Sequence, residues 1–486
     1  AAENSRPGLL DRAAIKLVDN GASAQPDGLI NKGKGKKKAM PQLFGTDGLR
    51  ARAGQFPLDE KSVFLLGLAL AELLSRQGLP PRIVSGRDTR RSGRWLEECL
   101  MAGFARGGGE AISAGVITTP GISYLVRSHD FSAGVVISAS HNPYLDNGIK
   151  IFSHRGTKIA EDWEEELEKQ IMSGVLPSGG VREPVLLVND HLKQDYLDFL
   201  RQVYAGPSCQ KLKLVVDCAN GASSELAPQL FSSLGFEVVA INSQPDGQNI
   251  NLDCGSLHPE RLAEIVRTEK ADLGVAFDGD ADRAIWSDEK GRILNGDHTL
   301  YVQARHLKDK KALKKNTVVA TIMSNMGLEK ILEENGIKLL RTRVGDKYVL
   351  DEMLRSDYNL GGEQSGHTIF LDHSVAGDGL LTSLKMLEVM LEKEMTLSEL
   401  VKDFREFPQI LLNVRVREKV PLSEIPGYEQ ALAEVKDSLG RSGRVEVRYS
   451  GTEMLARIML EGPDQKQIED LAGKIARIIE NHCGLK

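Results

Sequence analysis

Three aspartates spaced at i, i+2 and i+4, Asp278, Asp280 and Asp282, follow a hydrophobic run in the segment LGVAFDGDADRAI from Leu273 to Ile285. Bare carboxylates this close repel one another, so a loop that gathers them needs a positive charge at its centre. A hard, oxygen-loving cation such as Mg²⁺ suits the set, and a solvated acidic turn is the plain alternative. The same aspartates stand at positions 1, 3 and 5 of an EF-hand loop with Glu289 at 12. That reading fails at position 6, where Arg283 replaces the required Gly, and a strand rather than a helix leads in. Arg283 is instead a ready partner for a phosphoryl oxygen.

Other loops carry polar groups of complementary kinds. In GVVISASHNPYLDNGIKIF, Gly134 to Phe152, a buried strand runs into Ser140, His141 and Asn142, and Lys150 follows on a second strand. A Ser-His hydrolase fits poorly: neighbours on an extended backbone point to opposite sides, and no G-x-S-x-G elbow surrounds Ser140. In GGEQSGHTIFL, Gly361 to Leu371, Glu363, Ser365 and His367 alternate. An extended backbone would project them together toward the hydroxyls of a sugar, and a polar hairpin turn explains them equally well. In RYSGTEMLAR, Arg448 to Arg457, the two arginines, the hydroxyls of Ser450 and Thr452 and the backbone around Gly451 are the components of a phosphate cradle, although S-G-T alone is a common sequence.

The elements that must position these loops alternate in type. Strands are expected at Arg82 to Ser85, Gly134 to Ser138, Lys213 to Asp217, Val238 to Ile241, Leu273 to Phe277, Val318 to Ile322 and Lys338 to Arg341. Helices with apolar residues at three and four spacing are expected at Val63 to Arg76, Trp95 to Arg106, Trp163 to Met172, Pro259 to Glu269, Gly327 to Asn335 and Gly379 to Glu394. This is α/β layering with parallel strands. Beyond Pro408 the order becomes strand, helix, strand, strand, helix, ending in Gln467 to Asn481, which predicts a small α+β domain. With 486 residues the chain is long enough for three or four domains. The Ser173 to Pro184 cluster of Gly, Pro and Ser marks one boundary.

Composition excludes several classes. Hydrophobic residues at 41% and charged residues at 27% are those of a soluble globular protein. The most apolar stretch, Val63 to Leu74, is too short to span a bilayer and predicts a buried helix. Residues 1–40 hold eight Lys+Arg and four Asp+Glu, a balance of +4, so the overall −6 leaves −10 on residues 41–486. An acidic body argues against nucleic acid, and any anionic ligand must be met by basic groups gathered locally. Residues 1–40 read as a disordered or artificially appended extension; GLINKGKG from Gly28 to Gly35 nearly matches a P-loop but has Gly35 where the magnesium-binding Ser/Thr belongs. Five cysteines without C-x-x-C or zinc spacing predict buried thiols in a reducing cytoplasm.

Taken together and in order, the motifs carry a resemblance. FGTDGLR at Phe44 to Arg50, GRDTRRSG at Gly86 to Gly93, SASHNP at Ser138 to Pro143, DGDADR at Asp278 to Arg283, VGDKYV at Val344 to Val349, GGEQSGH at Gly361 to His367 and RYSGTE at Arg448 to Glu453 are all present. From about Leu43 onward the chain resembles the α-D-phosphohexomutases, and within them the bacterial group acting on glucosamine phosphate. It departs from the pattern at Ala51, where Gly is usual, and at Met454, where Pro is usual.

The resemblance implies three α/β domains with mixed sheets and a C-terminal α+β domain around a central cleft: 41–190 for a phosphoserine, 191–300 for a metal, 301–408 for the sugar and 409–486 for a phosphate. Ser140 would be the phosphoserine, and Asp278, Asp280 and Asp282 would bind one Mg²⁺ per subunit together with the Ser140 phosphate. Arg50, His141, Lys150, Arg283 and His367 would serve catalysis, and Glu363, Ser365, Arg448, Ser450, Gly451, Thr452 and Arg457 would hold a phosphosugar. A sugar bisphosphate would be the intermediate. Gln364 matches the glucosamine group, where mannose and glucose phosphate mutases of the same family more often have Met. The alternatives are such a mutase, a metal-dependent sugar phosphatase, or a sugar-phosphate binder without catalysis. The implied setting is cytoplasmic, as monomer or homodimer, without membrane or nucleic-acid partners.

Overall fold

The computed structural model describes residues 43–45, 47–175, 187–207, 212–450 and 454–485. The N-terminal extension, its P-loop-like segment, most of the Ser173 to Pro184 boundary, Cys209 and the loop residues Gly451 and Thr452 lie outside the described residues.

Four sheets follow one another along the chain. The first has seven strands in the order Phe44–Gly45, Gly48–Arg52, Asp146–Ser153, Ala133–Ile137, Arg82–Arg87, Glu110–Val116 and Leu187–Val188. Its Arg82–Arg87 strand pairs in parallel on both sides, whereas Asp146–Ser153 is antiparallel to both neighbours. The second is Ile293–Leu294, Ala284–Asp288, Leu273–Phe277, Lys213–Asp217 and Glu237–Ile241, and the third Lys338–Thr342, Thr317–Thr321, Leu360–Gly362 and Thr368–Phe370; both are also mixed. The last, Gln409–Arg415, Leu455–Glu461 and Arg444–Tyr449, is antiparallel throughout.

The strands and helices expected from periodicity all form, with ends within three residues. The apolar Val63 to Leu74 run lies in the helix Glu60–Arg76 and is largely buried. Among the described residues no helix is long and apolar enough to cross a membrane. The four described cysteines are free thiols, three of them buried. The helix Gly296–Asp309 has no counterpart in the apolar periodicity for a physical reason: Asp297, His298, Thr299, Gln303 and His306 are among its buried residues, so apolar residues do not mark its buried face.

Burial divides the molecule unequally. One continuous apolar cluster runs from Val84 and Val136 in the first sheet through Val216 and Phe277 in the second to Val318 and Phe370 in the third. The C-terminal sheet packs on Ile468, Ile475 and Ile479 of the helix Gln465–Cys483 in a core of its own. Its link to the third sheet is polar where Arg444 donates to the Ser324 carbonyl at 2.7 Å and Asn325 to that of Phe407 at 3.0 Å. Loops from the first three sheets therefore share one rigid base, and loops of the fourth stand on a separate one.

Candidate active site

The serine loop begins where the buried strand Ala133–Ile137 ends, and the aspartate loop where Leu273–Phe277 ends. Loops at the carboxyl ends of parallel strands are the usual sites of chemistry in open α/β sheets. Ser140 has φ of +52°, a left-handed conformation unusual for a residue with a side chain. Arg90, fully buried, holds it there. Its guanidinium donates to the carbonyls of Ser140 at 2.9 Å and Asn142 at 2.8 Å, and also to those of Pro143 and Asp146. Asp88 pairs with Arg90 at 2.9 Å and accepts from Ser138 at 2.6 Å, and the Ser138 hydroxyl accepts the Ser140 N–H at 2.9 Å. The aspartate loop can approach because Gly279 has no side chain: a Cβ there would lie 2.5 Å from the Ser140 carbonyl oxygen.

The result is a compact polar centre. Asp278, Asp280 and Asp282 are buried, with ligand oxygens within 4.8 Å of one another. The Ser140 hydroxyl donates to Asp278 at 2.5 Å and lies 3.2 Å from Nδ1 of His141. The opposite-sides argument against a Ser-His contact is thus corrected, because the left-handed turn at Ser140 replaces the extended backbone on which it rested. Lys150 reaches Asp280 at 2.8 Å and Asp282 at 3.8 Å, and Thr119 donates to Asp280 at 2.6 Å. Arg50 contacts Asn142 at 3.3 Å and pairs with Asp47. Glu289, the residue at EF-hand position 12, accepts from Ser398 and is not one of the clustered carboxylates.

Burial and the neighbouring Asp282 and Asp280 raise the pKa of Asp278 well above the ordinary carboxylate value. Burial acts in the same direction on Asp282, but Lys150, His367 and Arg283 outweigh it and hold its carboxyl well below that value. Burial, with Arg283 and Arg50, pushes His141 down to about 4, so its ring is neutral at physiological pH. Asp280 Oδ1 and Arg50 Nε are buried without a hydrogen-bond partner, and Asp282 Oδ1 and Arg283 Nε, 3.8 Å apart, form an ion pair too long for a hydrogen bond. Unmatched buried groups of both signs are costly, and here they fit a bound divalent cation and an anion respectively.

The loop within Gly361 to Leu371 corrects the expectation of an extended, alternating backbone. Glu363 to Gly366 is a turn between the antiparallel strands Leu360–Gly362 and Thr368–Phe370, and Gly366 at φ +98° breaks the alternation. Glu363, Gln364 and Ser365 line a cleft of about 1110 Å³ together with His141, Arg283 and Arg457. His367 turns away toward Asp282, with Nδ1 3.6 Å from its carboxylate and Nε2 accepting the Gly377 N–H at 3.2 Å. Arg448 and Arg457 face one another across the last sheet, and Ser450 is buried at the strand end. Burial and Arg457 together lower the pKa of Arg448. Directly opposed like charges destabilise a strand pair unless an anion lies between them. Sequence reasoning left three groups without a role: Arg90, Lys158 and Asp346. Arg90 and Asp346 lie in quoted motifs, and Lys158, 2.7 Å from Asp47 and 2.8 Å from Asp346, has no local signal.

A buried carboxylate cluster beside a loop serine, with His141 and Arg283 next to it lining a cleft that also takes in Arg457, is set in the fold of an enzyme that moves phosphate within its substrate. The chain belongs to the phosphoglucomutase/phosphomannomutase family, the α-D-phosphohexomutases: its alpha/beta/alpha domains I, II and III match residues 41–175, 194–291 and 295–407, and its C-terminal domain matches 411–478. Phosphoglucosamine mutase of Koribacter versatilis is 46% identical over 456 residues, covering 92% of this chain and 98% of that protein. That of Solibacter usitatus is 47% identical over 443 residues, covering 91% and 99%. In fold the chain is similar to a phosphoglucomutase/phosphomannomutase family protein from Burkholderia thailandensis, at 23% identity, TM-score 0.77 and coverage of 91% and 97%. It is also similar to Aspergillus fumigatus N-acetylphosphoglucosamine mutase in complex with GlcNAc-6P and magnesium, at 18% identity, TM-score 0.63 and coverage of 90% and 96%.

The raised pKa of Asp278 generates a prediction. Without a cation its carboxyl retains a proton to higher pH than an ordinary aspartate, and a metal ligand must be deprotonated. Titration with Mg²⁺ in buffers of different ionisation enthalpy is expected to show proton release on binding. Affinity should climb as pH rises toward the Asp278 pKa and level off above it. Buffer-independent heats would contradict this.

Proposed function

We propose that this chain is a phosphoglucosamine mutase, interconverting glucosamine 6-phosphate and glucosamine 1-phosphate through a phosphorylated Ser140 and a sugar bisphosphate. The observation that carries the reading is the buried shell around Ser140: three gathered carboxylates that call for a cation, and the guanidiniums of Arg50 and Arg283, without hydrogen-bond acceptors at Nε, that call for an anion. A phosphoryl group on Ser140 with Mg²⁺ beside it answers both. Asp278, Asp280, Asp282 and the Ser140 oxygen would hold the ion, which supplies neutralisation of charge on the transferring oxygens.

The residues act in turn. Arg50 and Arg283 orient the phosphoryl group on Ser140 toward the free hydroxyl of a bound hexose phosphate. The bond from phosphorus to Ser140 Oγ breaks as the bond to the sugar oxygen forms, with little covalent work left to the protein beyond positioning and charge. Lys150 stabilises Asp280 and the developing charge, and neutral His141 takes the proton that the attacking sugar hydroxyl loses and returns it to the freed Ser140 Oγ, which lies within its reach. Glu363, Gln364 and Ser365 contact the sugar from the cleft, and His367 orients Asp282. Arg448, Ser450, Gly451, Thr452 and Arg457 hold the phosphate that is not transferred. The bisphosphate then turns end for end and returns its other phosphate to Ser140. In this assignment 41–190, 191–300, 301–408 and 409–486 bear the serine, the metal ligands, the sugar contacts and the clamp.

Phosphorus NMR of the purified protein with glucosamine 6-phosphate, Mg²⁺ and a trace of bisphosphate tests the reading. A new anomeric phosphate resonance is expected. Free phosphate would indicate a phosphatase, and no change a binding protein. Glucosamine phosphate should give the highest kcat/KM, since a site built around one hydrogen-bonding group rejects analogues that lack it. Equal efficiency with mannose or glucose phosphate would reassign the substrate within the family.

Two substitutions separate the loops. Arg448 holds a phosphate whose charge changes little during reaction, so Arg448→Ala should raise KM for both substrates, by ~2 to 5 kcal/mol of binding for a desolvated charge pair. Asp280→Asn should lower kcat in both directions, because its role is realised as charge develops in the transferring group. Steady-state kinetics showing the reverse split would mean that the loops are assigned the wrong way round.

A further inference from the structure

Six side chains form a closed ring behind the aspartate loop. Asp47 Oδ1 lies 2.7 Å from Lys158 Nζ, and Lys158 Nζ 2.8 Å from Asp346 Oδ2. Asp346 Oδ2 lies 4.0 Å from His367 Nε2, and His367 Nδ1 3.6 Å from Asp282 Oδ2. Asp282 Oδ2 lies 3.8 Å from Lys150 Nζ, which closes the ring on Asp47 Oδ2 at 3.2 Å. Carboxylates alternate with basic groups all the way round. The first sheet and its flanking loops supply Asp47, Lys150 and Lys158, the second Asp282, and the third Asp346 and His367.

Three members, Asp282, Lys150 and His367, belong to the centre already described. Asp47 borders that centre through Lys150 and Arg50, Asp346 lies beside His367, and Lys158 joins the two: its ammonium is shared by two carboxylates from different sheets. Without that cation, Asp47 and Asp346 repel one another, and Asp47, already drawing on Lys150, competes more strongly with Asp280 for it. Lys158 also faces a cavity of about 500 Å³ that Asp346, His367, Ile159 and Leu350 help to line. A substituted side chain therefore has room there.

Resting on the mutase reading, we propose that Lys158 and Asp346 form a positioning pair for phosphoryl transfer: through Asp47 the pair sets where Lys150 stands, and Asp346 places its charge beside His367, whose ring the Gly377 N–H holds toward Asp282. The pair lies away from the cleft and the arginine clamp, so it acts on the transfer step rather than on hold of the substrate phosphate. Asp47 and Asp346 stand in the FGTDGLR and VGDKYV motifs, and the reaction scheme gives neither aspartate a role of its own.

The test is a double-substitution cycle by steady-state kinetics on the full chain, using Lys158→Met, Asp346→Asn and both together. Each single change is expected to lower kcat by about tenfold or more, the range for residues that orient metal-site groups, while KM stays within about threefold. The double variant should fall no more than about threefold below the worse single one, because one shared interaction is lost only once. Lys158→Arg should restore most of kcat, and a purely packing role would not require that. An active parent whose single variants match it, or effects that multiply in the double variant, would overturn this inference alone. A parent that converts no hexose phosphate would overturn the mutase reading and this inference with it.

Discussion

One buried guanidinium sets the geometry from which the rest of the site follows. Arg90 is fully enclosed and paired with Asp88, and it binds the carbonyls of Ser140, Asn142, Pro143 and Asp146. A loop with four carbonyls converging on one side chain cannot relax to an extended path without leaving buried guanidinium N–H groups unsatisfied, at a cost of about 1 to 3 kcal/mol for each such donor. The left-handed turn at Ser140 persists for that reason, and the turn brings the hydroxyl to Asp278 and to His141. The aspartate loop in turn rests on the serine loop across Gly279, where no side chain would fit. Cations supplied from the first sheet and its loops then balance carboxylates from the second and third.

The distribution of apolar cores matches this division of labour. Side chains that must keep sub-ångström relations, those around Ser140 and the aspartates, are carried by sheets that share one core. The paired arginines are carried by a module with its own core and a polar attachment. In the proposed reaction the bisphosphate must turn within the cleft. A clamp on a separate base can yield during that turn while the transfer centre stays fixed.

Much of this was legible in the sequence, and the parts that were not have separate physical causes. Strands such as Leu273–Phe277 and Lys213–Asp217 are apolar runs bounded by polar turns, and three acids after a strand pointed directly to a cation site. The helix Gly296–Asp309 was illegible because it buries polar residues, Asp297, His298, Thr299, Gln303 and His306, where an apolar stripe would be looked for. The contact between Ser140 and His141 and the turning away of His367 depend on single positive φ angles, at Ser140 and Gly366, which residue spacing does not encode. Arg90 lay in a quoted motif, but an arginine there reads as a surface cation until its four carbonyl partners are seen. Lys158 and Asp346 are 188 positions apart, and only the fold brings them together.

The central claim is that Ser140 carries the phosphoryl group between the two ends of the sugar. Incubation of the protein with Mg²⁺ and ³²P-labelled glucosamine 1,6-bisphosphate, followed by peptide mapping, tests it most directly. The account predicts label on the peptide that contains Ser140, discharged by unlabelled glucosamine 6-phosphate and absent in Ser140→Ala. Label on another peptide, or label that the Ser140→Ala variant retains, would contradict it.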